Sequence, residues 1–262
     1  MAEGLPGVAR ILAVASGKGG VGKTTVTVNL AFALQQLGAR VGLFDADVFG
    51  PNIPLMLGVH RTEGLPAMLP VARASREPYI PPLERFGLKA MSFGLVVGER
   101  DTVMTEMVGR LVVQTLRDVI WSPLDYLLID FPPGSGEPQH TLIRQVQFDG
   151  ALVVTTPQDL SLLDAGRTLG MFRKVNVPIL GVVENMSYLH CPHCGEQVEV
   201  FHHSDREWAI QDEALEVLGR IPMALAMSRS IDAGHPLVQA APSGAEAMAF
   251  RAVAERLRDL LP

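Results

Sequence analysis

The segment Ser16–Thr25, SGKGGVGKTT, follows the apolar run Ile11-Leu12-Ala13-Val14-Ala15 and precedes a helical pattern that begins near Thr24. Its core, Gly17 to Thr24, fits G-x-x-x-x-G-K-[ST], the spacing of a phosphate-binding loop between a strand and a helix. Glycines let the backbone wrap a polyphosphate with its N–H groups turned inward, at a helix N-terminus that favours negative charge. Lys23 is expected to reach the β- and γ-phosphates and the Thr24 hydroxyl to sit on Mg²⁺. Gly17, Lys18, Gly19, Gly20, Val21, Gly22, Lys23, Thr24 and Thr25 are the predicted nucleotide-binding residues. A glycine-rich turn with no ligand is the plainer alternative, and the strand-loop-helix context argues against it.

The chain has 262 residues, 48% hydrophobic and 19% charged, values suited to a packed α/β domain. No apolar run reaches the ~18 residues of a spanning helix. The opening MAEGLPGVAR carries no apolar signal region, so a cytoplasmic protein is expected. The net charge of −6 weakens readings that need a broad basic surface, and neither nucleic acid nor membrane is an expected partner.

Outward from the loop, strands alternate with helices. Strands are expected over 9–16, 39–44, 87–93, 124–130, 151–156 and 179–183, with a short one at 221–222. Helices are expected over 24–37, 102–120, 161–175, 207–218 and 245–261, the last opened by a capping box from Ser243 and Glu246. Residues 48–86 carry many prolines and little periodicity, and read as a long surface excursion. The pattern predicts a single α/β P-loop NTPase domain over 1–262, with a mainly parallel sheet and helices on both faces.

Further candidates fall at predicted strand ends, where open α/β sheets bind ligands. Asp45 and Asp47 can hold Mg²⁺ through water or orient an attacking water, or instead cap the next element. Asp130 closes LDYLLID as a Walker B aspartate would. Gly134 in FPPGSGE can bring its N–H to a γ-phosphate. Asn185 offers a donor and an acceptor to the edge of adenine, or a turn.

The two cysteines, Cys191 and Cys194, lie in YLHCPHCG, within an irregular segment at 188–205. A C-x-x-C pair allows a redox dithiol, zinc completed by His190, His193, His202 or His203, or an iron–sulfur cluster. A [4Fe–4S] cluster takes four thiolates, which two such chains on a two-fold axis would supply.

SGKGGVGKTTVTVNLAFAL, LFDADVFGPNIPLMLG, LDYLLIDFPPGSGE, DGALVVTTPQDLSLLDAGR, MFRKVNVPILGVVENMSYLHCPHCG and IDAGHPLV closely resemble the Mrp-type iron–sulfur cluster carriers. These belong to the P-loop class with a second loop lysine, shared with MinD, ParA and the nitrogenase iron protein. The resemblance implies a homodimeric ATPase that binds ATP and Mg²⁺, holds a labile [4Fe–4S] cluster between subunits and passes it to apo-proteins. It implies that Lys18, Lys23 and Asp47 serve hydrolysis, Lys18 by crossing to the partner's nucleotide and Asp47 by orienting water. It places Thr24, Asp45 and Asp130 on the magnesium side, Asn185 on adenine, and Cys191 and Cys194 on the cluster. A MinD/ParA-like positioning ATPase and a zinc-stabilised nucleotide-binding adaptor are the rivals. The loop starts too early for the small N-terminal domain that many of these carriers have. PPGSGE stands for the usual PPGTGD. Stretches at 103–107 and 202–206 also depart from the family pattern, on surfaces that bear on client choice and cluster affinity.

Overall fold

In a computed structural model the described residues are 2–48, 50–59, 78–96, 105–134, 136–191, 193–201, 209–210 and 213–261. The first half of the chain runs β1 (Val8–Ala15), α1 (Lys23–Gln36), β2 (Val41–Asp45), α2 (Ile53–Met56), β3 (Leu83–Arg85), β4 (Leu88–Ser92), α3 (Phe93–Val96), α4 (Thr105–Asp118) and β5 (Leu124–Asp130). The second half runs α5 (Glu137–Gln145), β6 (Gly150–Thr155), α6 (Asp159–Arg173), β7 (Ile179–Glu184), β8 (Leu189–His190), β9 (Gln197–Val198), β10 (Ala209–Ile210), β11 (Glu213–Ala214), β12 (Val217–Arg220), α7 (Leu225–Asp232), α8 (Leu237–Ala240) and α9 (Ala245–Leu260).

One eight-stranded sheet has the order β12-β7-β6-β1-β5-β2-β4-β3. Its pairings are parallel except at the edge, where β3 runs antiparallel to β4. β1 lies near the middle, so both its faces must be apolar. Leu12 and Val14 enter the core layer formed with α1, α8 and α9, whereas Ile11, Ala13 and Ala15 enter the layer formed with α4 and α5. That alternation is the two-residue period of a strand.

The register brings functional side chains to one edge. Asp45 of β2 pairs with Asp130 of β5 on one side and with Ser92 of β4 on the other. Val14, one residue from the end of β1, also pairs with Asp130. The phosphate-binding loop therefore emerges beside both aspartates, at the carboxyl ends of the parallel strands.

The structure corrects several expectations. The helix expected at 207–218 is not formed: its described residues build the small β10–β11 pair and then β12, which extends the sheet from β7. Leu218 is buried there, and the free edge of β7 outweighs the helical preference of EALEVL. α5, α7 and α8 come where no helix is expected. Pro138 in the first turn of α5 is the signal that marks it. The capping box at Ser243 is absent, since Gly244 is the N-cap of α9 and no side chain caps it. The excursion at 48–86 is not merely superficial, because Ile53, Leu57 and Ile80 are buried in it. α1 is buried on more than one face, sandwiched between the sheet and α8 and α9.

α9 turns Ala247, Phe250, Val253, Ala254 and Leu257 into the core against α1, β7 and β12. Replacing Phe250 with alanine is predicted to destabilise the fold by about 3–5 kcal/mol, the usual cost of emptying a buried aromatic site. Urea denaturation measures this, and a loss under about 1 kcal/mol would contradict the docking of α9.

Candidate functional site

The loop leaves β1 at Ser16, whose hydroxyl donates to Lys18 O at 2.9 Å. Gly20 and Gly22 take positive φ values of 81° and 80°, a left-handed conformation that glycine adopts without a Cβ penalty. The turn opens onto a cleft of about 220 Å³, lined by residues 18–25 together with Ser16, Asp47, Asn52, Met56 and Pro133. The far wall is tied to the loop: the Gly134 N–H, expected to meet a γ-phosphate, donates here to Ser16 O at 3.1 Å.

Beneath the loop lies a buried ion pair. Lys23 Nζ stands 2.6 Å from Asp130 Oδ2, with side-chain exposures of 6% and 0%. The Thr24 hydroxyl donates to the same oxygen at 2.7 Å and the Thr27 hydroxyl to Oδ1 at 2.7 Å. Lys23 and Thr24 are therefore both gathered on the carboxylate that the sequence offers as a Walker B aspartate. Thr27 escaped the sequence reading, although it sits one helical turn from Lys23 on the same face.

Asp45 is fully buried next to this pair. Its Oδ2 accepts from the Ile53 N–H at 3.1 Å and the Ser92 hydroxyl at 3.2 Å, and its Oδ1 from the Asp47 N–H at 3.1 Å. It thus holds the N-terminus of α2, the capping role weighed against metal binding from the sequence. Burial pushes its carboxyl up to about 7, helped by the charge of Asp130 and opposed by the Ile53 N–H, Lys23 and the Asp47 N–H. Ser92 could not be found from sequence, because it arrives through the pairing of β4 with β2. Asp47 instead lines the cleft, where its Oδ1 accepts from the Gly50 N–H at 3.2 Å.

Asn185 lies behind the loop. Its Nδ2 donates to Val21 O at 2.8 Å, so one amide hydrogen expected for adenine is held by the loop backbone. The chain then enters the β8–β9 hairpin, with Leu189 opposite Val198 and His190 opposite Gln197. At its tip the Cys191 N–H donates to Glu196 O and the Gly195 N–H to Cys191 O, both at 2.8 Å. Both thiols are free, Cys191 half-buried and Cys194 exposed. The backbone N–H groups of Cys194 and His193 and the Cys194 thiol hold the Cys191 thiol below its ordinary range, favouring thiolate. His190 Nδ1 is 3.3 Å from Gly195 O. Among the described residues no group of three or more His, Cys, Asp or Glu gathers as a metal site. His202 and His203, and the departures at 202–206, lie outside the described residues, as do 103 and 104 of the other departure.

The support of the turn after β5 also escapes the sequence. Gln139 of α5 is buried and donates through Nε2 to Pro132 O and Pro133 O at 3.0 and 2.8 Å, fixing the turn between β5 and the cleft. Finding it required recognising α5 first.

A parallel sheet with a glycine loop over a buried lysine–aspartate pair defines a P-loop nucleoside-triphosphatase. The chain belongs to the family described as "ParA: NUBPL iron-transfer P-loop NTPase", whose profile matches residues 7–258. It is 42% identical over 253 residues to an iron–sulfur cluster carrier protein of Haemophilus influenzae, covering 96% of this chain and 66% of that protein. It is 42% identical to an iron–sulfur cluster carrier protein of Pyrococcus abyssi, covering 94% of this chain and 84% of that one. Among solved structures it resembles a nucleotide-binding protein of Archaeoglobus fulgidus in complex with ADP, at 33% identity and a TM-score of 0.71, over 87% of each chain. Among the described residues no helix is long and apolar enough to cross a membrane.

The raised Asp45 carboxyl carries a pH signature. Between its ordinary 3.8 and about 7 the folded state keeps a proton that the unfolded chain has released, so stability falls as pH rises through that window. In EDTA without nucleotide, the urea midpoint is predicted to drop from about pH 5 to about pH 7.5, and to drop less in Asp45→Asn. Equal pH slopes in the two proteins would remove Asp45 as the cause.

Proposed function

We propose that the chain works as a homodimeric ATPase that carries a [4Fe–4S] cluster between two subunits and delivers it to apo iron–sulfur proteins. The observation that carries this reading is the presence, in one domain, of a phosphate cradle over a buried Lys23–Asp130 pair and a solvent-facing Cys191/Cys194 turn. Membership of an iron-transfer family supports the same conclusion.

The cradle fits a nucleotide on this chain's own terms. Gly20 and Gly22 adopt the left-handed conformation from which a loop can turn its N–H groups toward a phosphate, and Lys23 supplies the positive charge. The donors beside it are hard oxygens, with Thr24 Oγ1 2.7 Å from Asp130 Oδ2, and would suit Mg²⁺. Bound Mg²⁺ neutralises charge on the transferring phosphoryl group.

Lys23 exchanges its buried carboxylate partner for the β- and γ-phosphates, and Thr24 and Asp130 would hold Mg²⁺, with Asp45 buried behind them and fastened to α2 and β4. Asp47, on the cleft wall, orients the attacking water. Lys18, on the cleft rim, reaches the nucleotide of the second subunit. Asn185 is retained beside adenine through the polar atoms that Val21 does not use. Each subunit contributes Cys191 and Cys194, and a two-fold axis assembles the four thiolates that the cargo takes. ATP binding closes the dimer and hydrolysis reopens it. A membrane-positioning role is not favoured, because the apolar face of α9 is already buried in the core.

Lys23→Ala is predicted to lower ATP turnover by about a hundredfold or more, the scale of losing one charged transition-state contact. Unchanged turnover would sink the nucleotide assignment. After anaerobic reconstitution with iron and sulfide, the wild-type dimer is expected to hold about four of each, and Cys191→Ala/Cys194→Ala neither. Equal loading of both proteins would remove the bridging site. Light scattering with a non-hydrolysable ATP analogue should show a dimer for the wild type and a monomer for Lys18→Ala. A dimeric variant would refute the crossing lysine.

A further inference from the structure

Asn185 joins the loop to the cysteines by a continuous bonded path. Its backbone N–H donates to Thr155 O of β6 at 2.7 Å, its Nδ2 donates to Val21 O at 2.8 Å, and the residue is buried. The approach is close: a Cβ built on Gly22 would lie 2.2 Å from Asn185 Nδ2 and 3.7 Å from Met186 Cε. Beyond Asn185 the chain is fastened step by step. Met186 occupies the left-handed region at φ 56°. The Ser187 N–H donates to Ile221 O at 3.0 Å and its hydroxyl to the Glu184 carboxylate. Tyr188 O accepts from the Met223 N–H at 2.7 Å, Leu189 bridges to Met223, and Cys191 is pinned across the hairpin to Glu196.

A peptide group is planar and trans, so Val21 C=O and the Gly22 N–H point in opposite directions. By holding the carbonyl from behind, Asn185 aims the Gly22 N–H away from itself, and Gly22 lines the cleft. A phosphate that takes this N–H polarises the peptide and strengthens the hydrogen bond on its other side. The coupling is then reciprocal between the two ends of the strap.

We propose that Asn185 is a positioning residue through which phosphate occupancy of the loop tightens the 185–191 strap and restrains the Cys191 and Cys194 thiols. This rests on the nucleotide reading of the loop and not on what the thiols carry.

The test is alkylation of the cluster-free full chain by iodoacetamide, followed at each cysteine by mass spectrometry, with and without saturating Mg-ADP. ADP lacks the γ-phosphate that closes the proposed dimer, so burial between subunits does not enter. In the wild type, ADP is expected to slow both thiols about three- to fivefold, the range one buried hydrogen bond can carry. GDP at saturation should slow them equally, since the strap responds to phosphate. Asn185→Ala saturated with ADP should show no slowing. Met186→Gly keeps both Asn185 hydrogen bonds, relieves the positive φ and loosens the strap. It should bind ADP within about twofold of wild type and lose most of the slowing. If Asn185→Ala fails to fold, full slowing in Met186→Gly overturns the proposal. It is also overturned if Asn185→Ala keeps the slowing, whether or not its preference for ADP over GDP changes. Wild-type chain that binds ADP without any slowing overturns this inference alone, whereas failure to bind ADP overturns the nucleotide reading with it.

Discussion

The contact on which the rest depends is the buried pair of Lys23 and Asp130. Charges out of water are costly unless they are paired and their remaining hydrogen-bonding capacity is used. Here Lys23, Thr24 and Thr27 all converge on the two oxygens of one carboxylate. The first turn of α1 is thereby fixed to the end of β5, and the loop between β1 and α1 is held open above it. Asp45 is the consequence next door. A second buried carboxylate beside the first cannot easily ionise as well, and burial with the charge of Asp130 raises its affinity for a proton. Its oxygens turn to α2 and β4 and so set the wall on which Asp47 stands.

Much of this was legible because local chemistry and chain pattern agree. The loop spacing points to the glycine turn between β1 and α1, and apolar runs ending in aspartate point to β2 and β5 with their carboxylates at one edge. What the sequence hid was decided by neighbours far along the chain. EALEVL prefers a helix in isolation, yet Val217 and Leu218 complete an open sheet edge at β7. Ser92 supports Asp45 only once β4 has paired with β2. Gln139 matters only within α5, whose proline-containing first turn is a weak sign. Position and resemblance single out Asn185, but its bond to Val21 depends on a loop that folds back to meet the residue after β7.

The cysteine turn differs in kind from the nucleotide edge. The latter is embedded in the sheet, with its side chains buried and multiply bonded. The former stands on a two-residue-per-strand hairpin whose Val198 is exposed at 45%. Outside the core, local opening costs less than global unfolding. The hairpin is nonetheless anchored at its base by Tyr188 and Leu189 to Met223.

The central position of β1 has a consequence for how the chain comes off the ribosome. The glycine loop is synthesised early, but the carboxylate beneath it lies 107 residues later and the amide behind it 164 residues after Val21. Until β5 has emerged, Lys23 has no buried partner and β1 has no neighbour on that side. Such long-range parallel pairing is slow to form. The nascent amino-terminal third is therefore an apolar strand and helix waiting for the middle of the chain, the stage at which exposed edges favour aggregation.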